Sequence, residues 1–81
     1  MEVTINRKNT SYKELSDLID QVGGYPIPAK DFDGTKLIIN YKEPDGVPCC
    51  TVMEPGDERG IIQMHYYEDG RIEEIIIPSD Y

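Results

Sequence analysis

Two observations predict an α+β fold: an amphipathic segment framed by helix start and stop signals near the N-terminus, and strand-like segments separated by turn residues after it. The expected architecture is one N-terminal helix, at about residues 12–22, packed on a mostly antiparallel sheet of four to five strands. The expected order is β-α-β-β-β-β. With 81 residues the chain makes a single small domain spanning 1–81.

Val3 and Ile5 alternate with polar neighbours and predict a short first strand. Asn9-Thr10-Ser11 marks a helix start. Ser11 and Glu14 have capping-box spacing, so each side chain is expected to satisfy the other's backbone N–H. Tyr12, Leu15, Leu18, Ile19 and Val22 recur at helical spacing on one face, with Lys13, Asp17 and Asp20 on the other. Gly23 supplies a left-handed stop. From Gly24 to Thr35, Pro26, Pro28 and Gly34 predict an irregular loop anchored to the core by Tyr25, Ile27 and Phe32.

The remainder reads as β structure. Lys36–Lys42 is rich in strand formers and sets Leu37, Ile39 and Tyr41 on one side. In the turn Pro44-Asp45-Gly46, proline presets φ, aspartate bonds back to the backbone and glycine takes positive φ. Val47–Met53 returns as a strand, with Pro48 pointing to an edge or a late start. Pro55-Gly56 forms the next turn. Ile61–Tyr67 and Arg71–Ile77 pair as a last hairpin around Asp69-Gly70, which Pro78 ends.

The register of that hairpin has two solutions. A two-residue turn, the favoured one, sets Tyr66 opposite Glu73 and His65 opposite Glu74. Ile62, Met64, Tyr66, Ile75 and Ile77 then share the core face. A three-residue loop, Glu68-Asp69-Gly70 with a bulge, moves the pairing by one and turns Ile75 and Ile77 over. In either case one helix cannot cover two partly apolar sheet faces, which leaves surface for a partner.

Charge is distributed unevenly. Residues 1–42 hold six acids and six bases, and residues 43–81 hold ten acids against Arg59 and Arg71, so the net charge of −8 lies wholly in the second part. Such a field repels nucleic acid and anionic lipid, and it speeds encounter with a basic protein surface. Direct nucleic-acid binding is therefore not expected. No apolar run approaches the roughly 18 residues needed to cross a membrane. The first residues lack the pattern of a secretion signal, so the expected location is cytoplasmic. Cys49 and Cys50 are adjacent, and strand neighbours point to opposite faces, so a bond between them would be strained; this agrees with a reducing compartment.

No catalytic or metal constellation is predicted, and no cofactor. Cys49, Cys50 and His65 are the only soft metal ligands, whereas a structural zinc site usually takes four, with its paired cysteines spaced two to four residues apart. A cysteine–histidine dyad would need Cys49 or Cys50 to meet His65 across neighbouring strands, with an orienting acid such as Glu74, inside a cleft. The carboxylate pairs Asp57-Glu58, Glu68-Asp69 and Glu73-Glu74 read as solvated surface. Residues 54–60 lack the alternating oxygen ligands of a calcium loop. Six tyrosines against one phenylalanine and no tryptophan favour rings with a polar tip, which suit a surface that a partner buries.

The leading expectation is a small acidic binding protein that occupies a basic surface of a partner protein. Inhibitor, immunity and anti-defence (nucleic-acid-mimic) roles fit that description. Its partner-binding residues are expected to be Tyr66, Tyr67, Glu68, Asp69, Glu73, Glu74 and Tyr81. The second expectation is a self-associating structural or regulatory domain, a homodimer. The third, a small Cys/His-dependent enzyme, ranks last.

Overall fold

A computed structural model of the chain describes residues 3–57 and 60–77. Among the described residues, one α-helix and six strands run in chain order: β1 (Val3–Ile5), α1 (Tyr12–Val22), β2 (Ile27–Asp31), β3 (Lys36–Lys42), β4 (Cys49–Asp57), β5 (Gly60–Tyr67) and β6 (Ile72–Ile77). The strands lie side by side in sequence order. β1 and β2 are parallel across the helical connection, and every later pair is antiparallel. The α+β class is as expected, with six strands instead of four to five.

The helix occupies the expected residues. Ser11 caps it by accepting from the Glu14 N–H at 3.4 Å, but Glu14 does not return the bond: its carboxylate accepts from the Thr10 hydroxyl at 3.1 Å. Only half of the capping box forms. At the other end Gly23 takes φ 91°, and the N–H groups of Gly23 and Gly24 both reach the Ile19 carbonyl at 3.0 Å. Leu15 and Ile19 are buried, while Val22, expected on the same face, is exposed beyond the sheet contact.

The extra strand lies inside the segment read as a loop. Ile27, Ala29 and Asp31 are buried and alternate with exposed Pro28 and Lys30. Among the described residues β1 pairs with Ala29–Asp31 and Pro28 has a single strand neighbour, β3, a position at which its missing N–H is tolerated. Pro55-Gly56 is likewise not a turn. β4 runs through it to Asp57, and the register with β5 shifts between Glu54 and Asp57, as a bulge allows. β4 begins at Cys49, just after Pro48. The turn before it also differs from expectation: Asp45 takes the left-handed conformation itself, φ 53°, next to Gly46 at φ 78°.

The last hairpin adopts the three-residue loop. The Gly70 N–H donates to the Tyr67 carbonyl at 3.0 Å and the Tyr67 N–H to the Arg71 carbonyl at 2.8 Å, with Gly70 at φ 94°. Tyr66 therefore opposes Ile72, His65 opposes Glu73 and Met64 opposes Glu74. The favoured two-residue register is overturned, because Gly70 as a left-handed bulge residue adds one position to the loop. Tyr66 and Met64 stay on the helix side as expected, but β6 is turned over: Ile75 faces away from the helix, and Ile72, Glu74 and Ile76 share its side.

The core lies between α1 and this side of the sheet, from Ile5 and Ile27 through Ile39 and Val52 to Tyr66. The helix packs on β3 and β4. It does not reach β6, whose Ile72 and Ile76 are 53% and 60% exposed.

Candidate partner-binding surface

The sequence-predicted residues divide into interior and surface. Tyr66 is interior at 1% exposure, and its hydroxyl donates to the Arg7 carbonyl at 2.6 Å. Burial pushes its phenol up to about 12, so it stays protonated. A ring held this way is part of the core and is not offered to a partner. Tyr67 points to the opposite face and is only 9% exposed. The Arg71 guanidinium lies 4.2 Å from its ring centre, and its hydroxyl donates to Glu73 Oε1 at 3.3 Å. Burial, then the Glu73 charge, raises its phenol. Tyr81 lies outside the described residues.

The four acids are all exposed. Glu68 and Asp69 form the hairpin tip, where Asp69 Oδ1 accepts from the Arg71 N–H at 2.9 Å. Glu73 stands on the face away from the helix and Glu74 on the helix side, both on the terminal strand. The only cationic side chain in residues 60–77 is Arg71, and it is engaged with Tyr67. The hairpin thus presents carboxylates at its tip and along its outer strand. The sheet face away from the helix is polarised, with Lys30, Lys36 and Lys42 on β2 and β3 and Glu73 on β6. The register also brings Ile72 and Ile76 beside Glu74, which composition alone could not reveal.

Other acids are committed internally. Arg7, in the connection from β1 to α1, donates through Nε to Asp31 and through a terminal nitrogen to Glu54 Oε2 at 3.1 Å. Asp33 lies 3.7 Å from it. Burial works against the Arg7 charge, but the Asp31 and Glu54 carboxylates outweigh it and raise the guanidinium's pKa. This cluster ties β1, β2 and β4 together.

The helix-free face carries three cross-strand rows, Lys42–Cys49–Tyr67, Asn40–Thr51–His65–Glu73 and Ile38–Met53–Gln63–Ile75. The inner residues of these rows screen one another, so that Thr51 is 1% exposed although no described element covers it. Thr51 Oγ1 and His65 Nδ1 are 2.9 Å apart. Burial, with Lys42 adding to it, lowers the His65 pKa and favours a neutral ring, while Glu73 opposes the shift.

The two cysteines take opposite faces. Cys50 lies in the core, its thiol 3.9 Å from the Tyr12 carbonyl, and burial pushes it up to about 12. Cys49 shares the His65 face but pairs with Tyr67, and burial raises its thiol too. Glu73, not Glu74, is the acid on that side. Neither thiol is poised as a thiolate, and Thr51 is closed to substrate. Two shallow hollows, of about 500 and 370 Å³, flank the helix, and neither is lined by Cys49, Cys50 or His65. Among the described residues no group of three His, Cys, Asp or Glu side chains is placed to hold a metal ion, and no helix is long and apolar enough to cross a membrane.

The site and fold define a one-helix α+β domain with an acidic, partly apolar outer hairpin. Comparison with known protein families, curated proteins and solved structures finds no match to this chain.

Proposed function

We propose that the chain is a small acidic binding protein that occupies a basic surface of a partner protein, in the manner of an inhibitor, immunity or anti-defence protein. The observation that carries this reading is the outer hairpin: exposed Glu68, Asp69, Glu73 and Glu74 border exposed Ile72 and Ile76, and the one cation there is already engaged. Carboxylates of this kind steer encounter with lysine- and arginine-rich surfaces, and isolated aliphatic side chains supply desolvated contact once the surfaces meet. The apolar anchors are Ile72 and Ile76, replacing Tyr66 and Tyr67. A cytoplasmic setting fits the two unpaired cysteines.

The test is affinity capture from the source organism with the wild type and with the combined variant Glu68→Gln, Asp69→Asn, Glu73→Gln and Glu74→Gln, each at 50 mM and 500 mM salt. The reading expects a basic protein that is retained at low salt, lost at high salt and lost from the variant. Capture indifferent to both changes, or of an acidic protein only, overturns it. A concentration-independent homodimer that hides Ile72 and Ile76 would favour self-association instead.

A further inference from the structure

We infer that the outer edge of β6 receives an extended basic segment of the partner as a seventh strand. The inference rests on the reading of the chain as a binder of a basic protein and specifies how that binding occurs.

The backbone decides which groups are free. The Tyr67 N–H bonds to the Arg71 carbonyl, and in an antiparallel pair the inward-bonding positions alternate. Arg71, Glu73 and Ile75 therefore turn their backbone groups towards β5. The N–H and C=O groups of Ile72, Glu74 and Ile76 point away from the sheet, because β6 ends the strand order among the described residues. A terminal strand with free ladder groups is a template for strand addition. The opposite edge is a weaker template, since β1 spans three described residues, Val3–Ile5.

The side chains select what pairs. Ile72, Glu74 and Ile76 stand on the helix side of β6, and Glu73 and Ile75 on the other. A neighbouring strand places its residues beside these in the same alternation, so its complement to 72–76 is two adjacent basic residues flanked by aliphatic ones. A second copy of β6 fits poorly, because it brings the same two glutamates on a chain whose net charge is also −8. Charge therefore selects a lysine- or arginine-bearing strand. Unoccupied, Glu73 and Glu74 also discourage edge-to-edge pairing of the protein with itself.

The probe is a nine-residue capped peptide with the core Val-Ile-Lys-Lys-Val, added to the full chain while backbone amide exchange is followed by NMR. The expected result is slowed exchange at the amides of Ile72, Glu74 and Ile76, with no such effect from the same peptide N-methylated on alternate residues. Glu74→Lys is expected to weaken binding about tenfold, from loss of an attractive cross-strand pair and gain of a repulsive one. It should transfer preference to Val-Ile-Glu-Lys-Val, whose glutamate stands beside residue 74 while its lysine stays beside Glu73. Salt-sensitive binding that leaves these three amides unchanged would overturn strand addition while leaving the basic-partner reading intact. Equal pairing by lysine and glutamate peptides would overturn the charge selection. Protection of the same amides by rising protein concentration alone would make a second copy the occupant. Absence of binding at millimolar peptide would reduce Glu73 and Glu74 to guards of the edge and overturn the inference.

Discussion

Replacing Arg7 by methionine tests whether the three-carboxylate cluster is structural cement or available surface charge. Methionine keeps most of the apolar stem and removes the guanidinium. The side chains of Arg7, Asp31 and Glu54 are 18%, 10% and 27% exposed, so both hydrogen-bonded pairs are largely withdrawn from solvent. Asp33, at 61%, is screened and adds little. Removing the cation leaves Asp31 buried without its ion-pair partner, although its other oxygen still accepts from the Phe32 N–H at 2.7 Å. Breaking a fully buried pair costs about 3–5 kcal/mol, and the residual exposure here brings the expectation to about 2–3 kcal/mol. A domain of 81 residues has roughly 4–12 kcal/mol in total, so the loss is a large fraction of its stability. Urea unfolding followed by circular dichroism should show it as a midpoint lowered by about 2–3 M, at a slope near 1 kcal/mol per molar. Asp31→Asn in the Arg7→Met background should then cost less than Asp31→Asn alone. A midpoint shifted by less than about 0.5 M, or full additivity of the two changes, would refute the clamp and return Asp31 and Glu54 to the surface charge available to a partner.

Further outcomes follow from single positions. Gly70→Ala forces a Cβ into φ 94° with open space around it, so the cost is backbone strain alone, about 1–2 kcal/mol in thermal unfolding; a neutral effect would mean that the three-residue loop is not held. Cys49 and Cys50 should resist a thiol reagent at pH 8 in the native protein and both react once urea unfolds it; rapid native labelling would revive the enzyme reading. Burial lowers the His65 pKa from its ordinary 6.5, so the stability it contributes is complete above pH 6.5 and is lost as pH falls through the depressed value. His65→Gln should flatten that part of the pH–stability curve, and an unchanged curve would contradict the buried neutral ring.

Particular residues explain what was legible in the sequence. Ser11, the spaced apolar residues and Gly23 act locally, so the helix could be read from the chain alone. β2 could not, because Pro26 and Pro28 announce a loop unless it is known that, among the described residues, Pro28 meets a neighbouring strand on the β3 side alone. The hairpin register depended on whether Gly70 serves as one of two turn residues or as an added bulge residue, and both use a glycine with positive φ. The candidate site shared this fate. The exposure of Glu68, Asp69, Glu73 and Glu74 follows from their charge, whereas Tyr66 was mistaken for surface because its hydroxyl finds a partner 59 residues away, at the Arg7 carbonyl. Ile72 and Ile76 were missed because their exposure depends on the helix packing on β3 and β4, a tertiary fact with no local signal.

The junction between the three-residue tip and β6 gives a single residue an evolutionary meaning. Deleting Arg71 with the three-residue loop kept would bring Ile72 opposite Tyr67, leave β5 and the core in place and rotate β6 alone, exchanging the Ile-Glu-Ile side for Glu-Ile-Ile. Point substitutions can alter such a recognition strip one side chain at a time. Loss of the one codon beside this turn would replace the whole strip at once, so a lineage under pressure from a changing partner could acquire a new binding edge without rebuilding the fold.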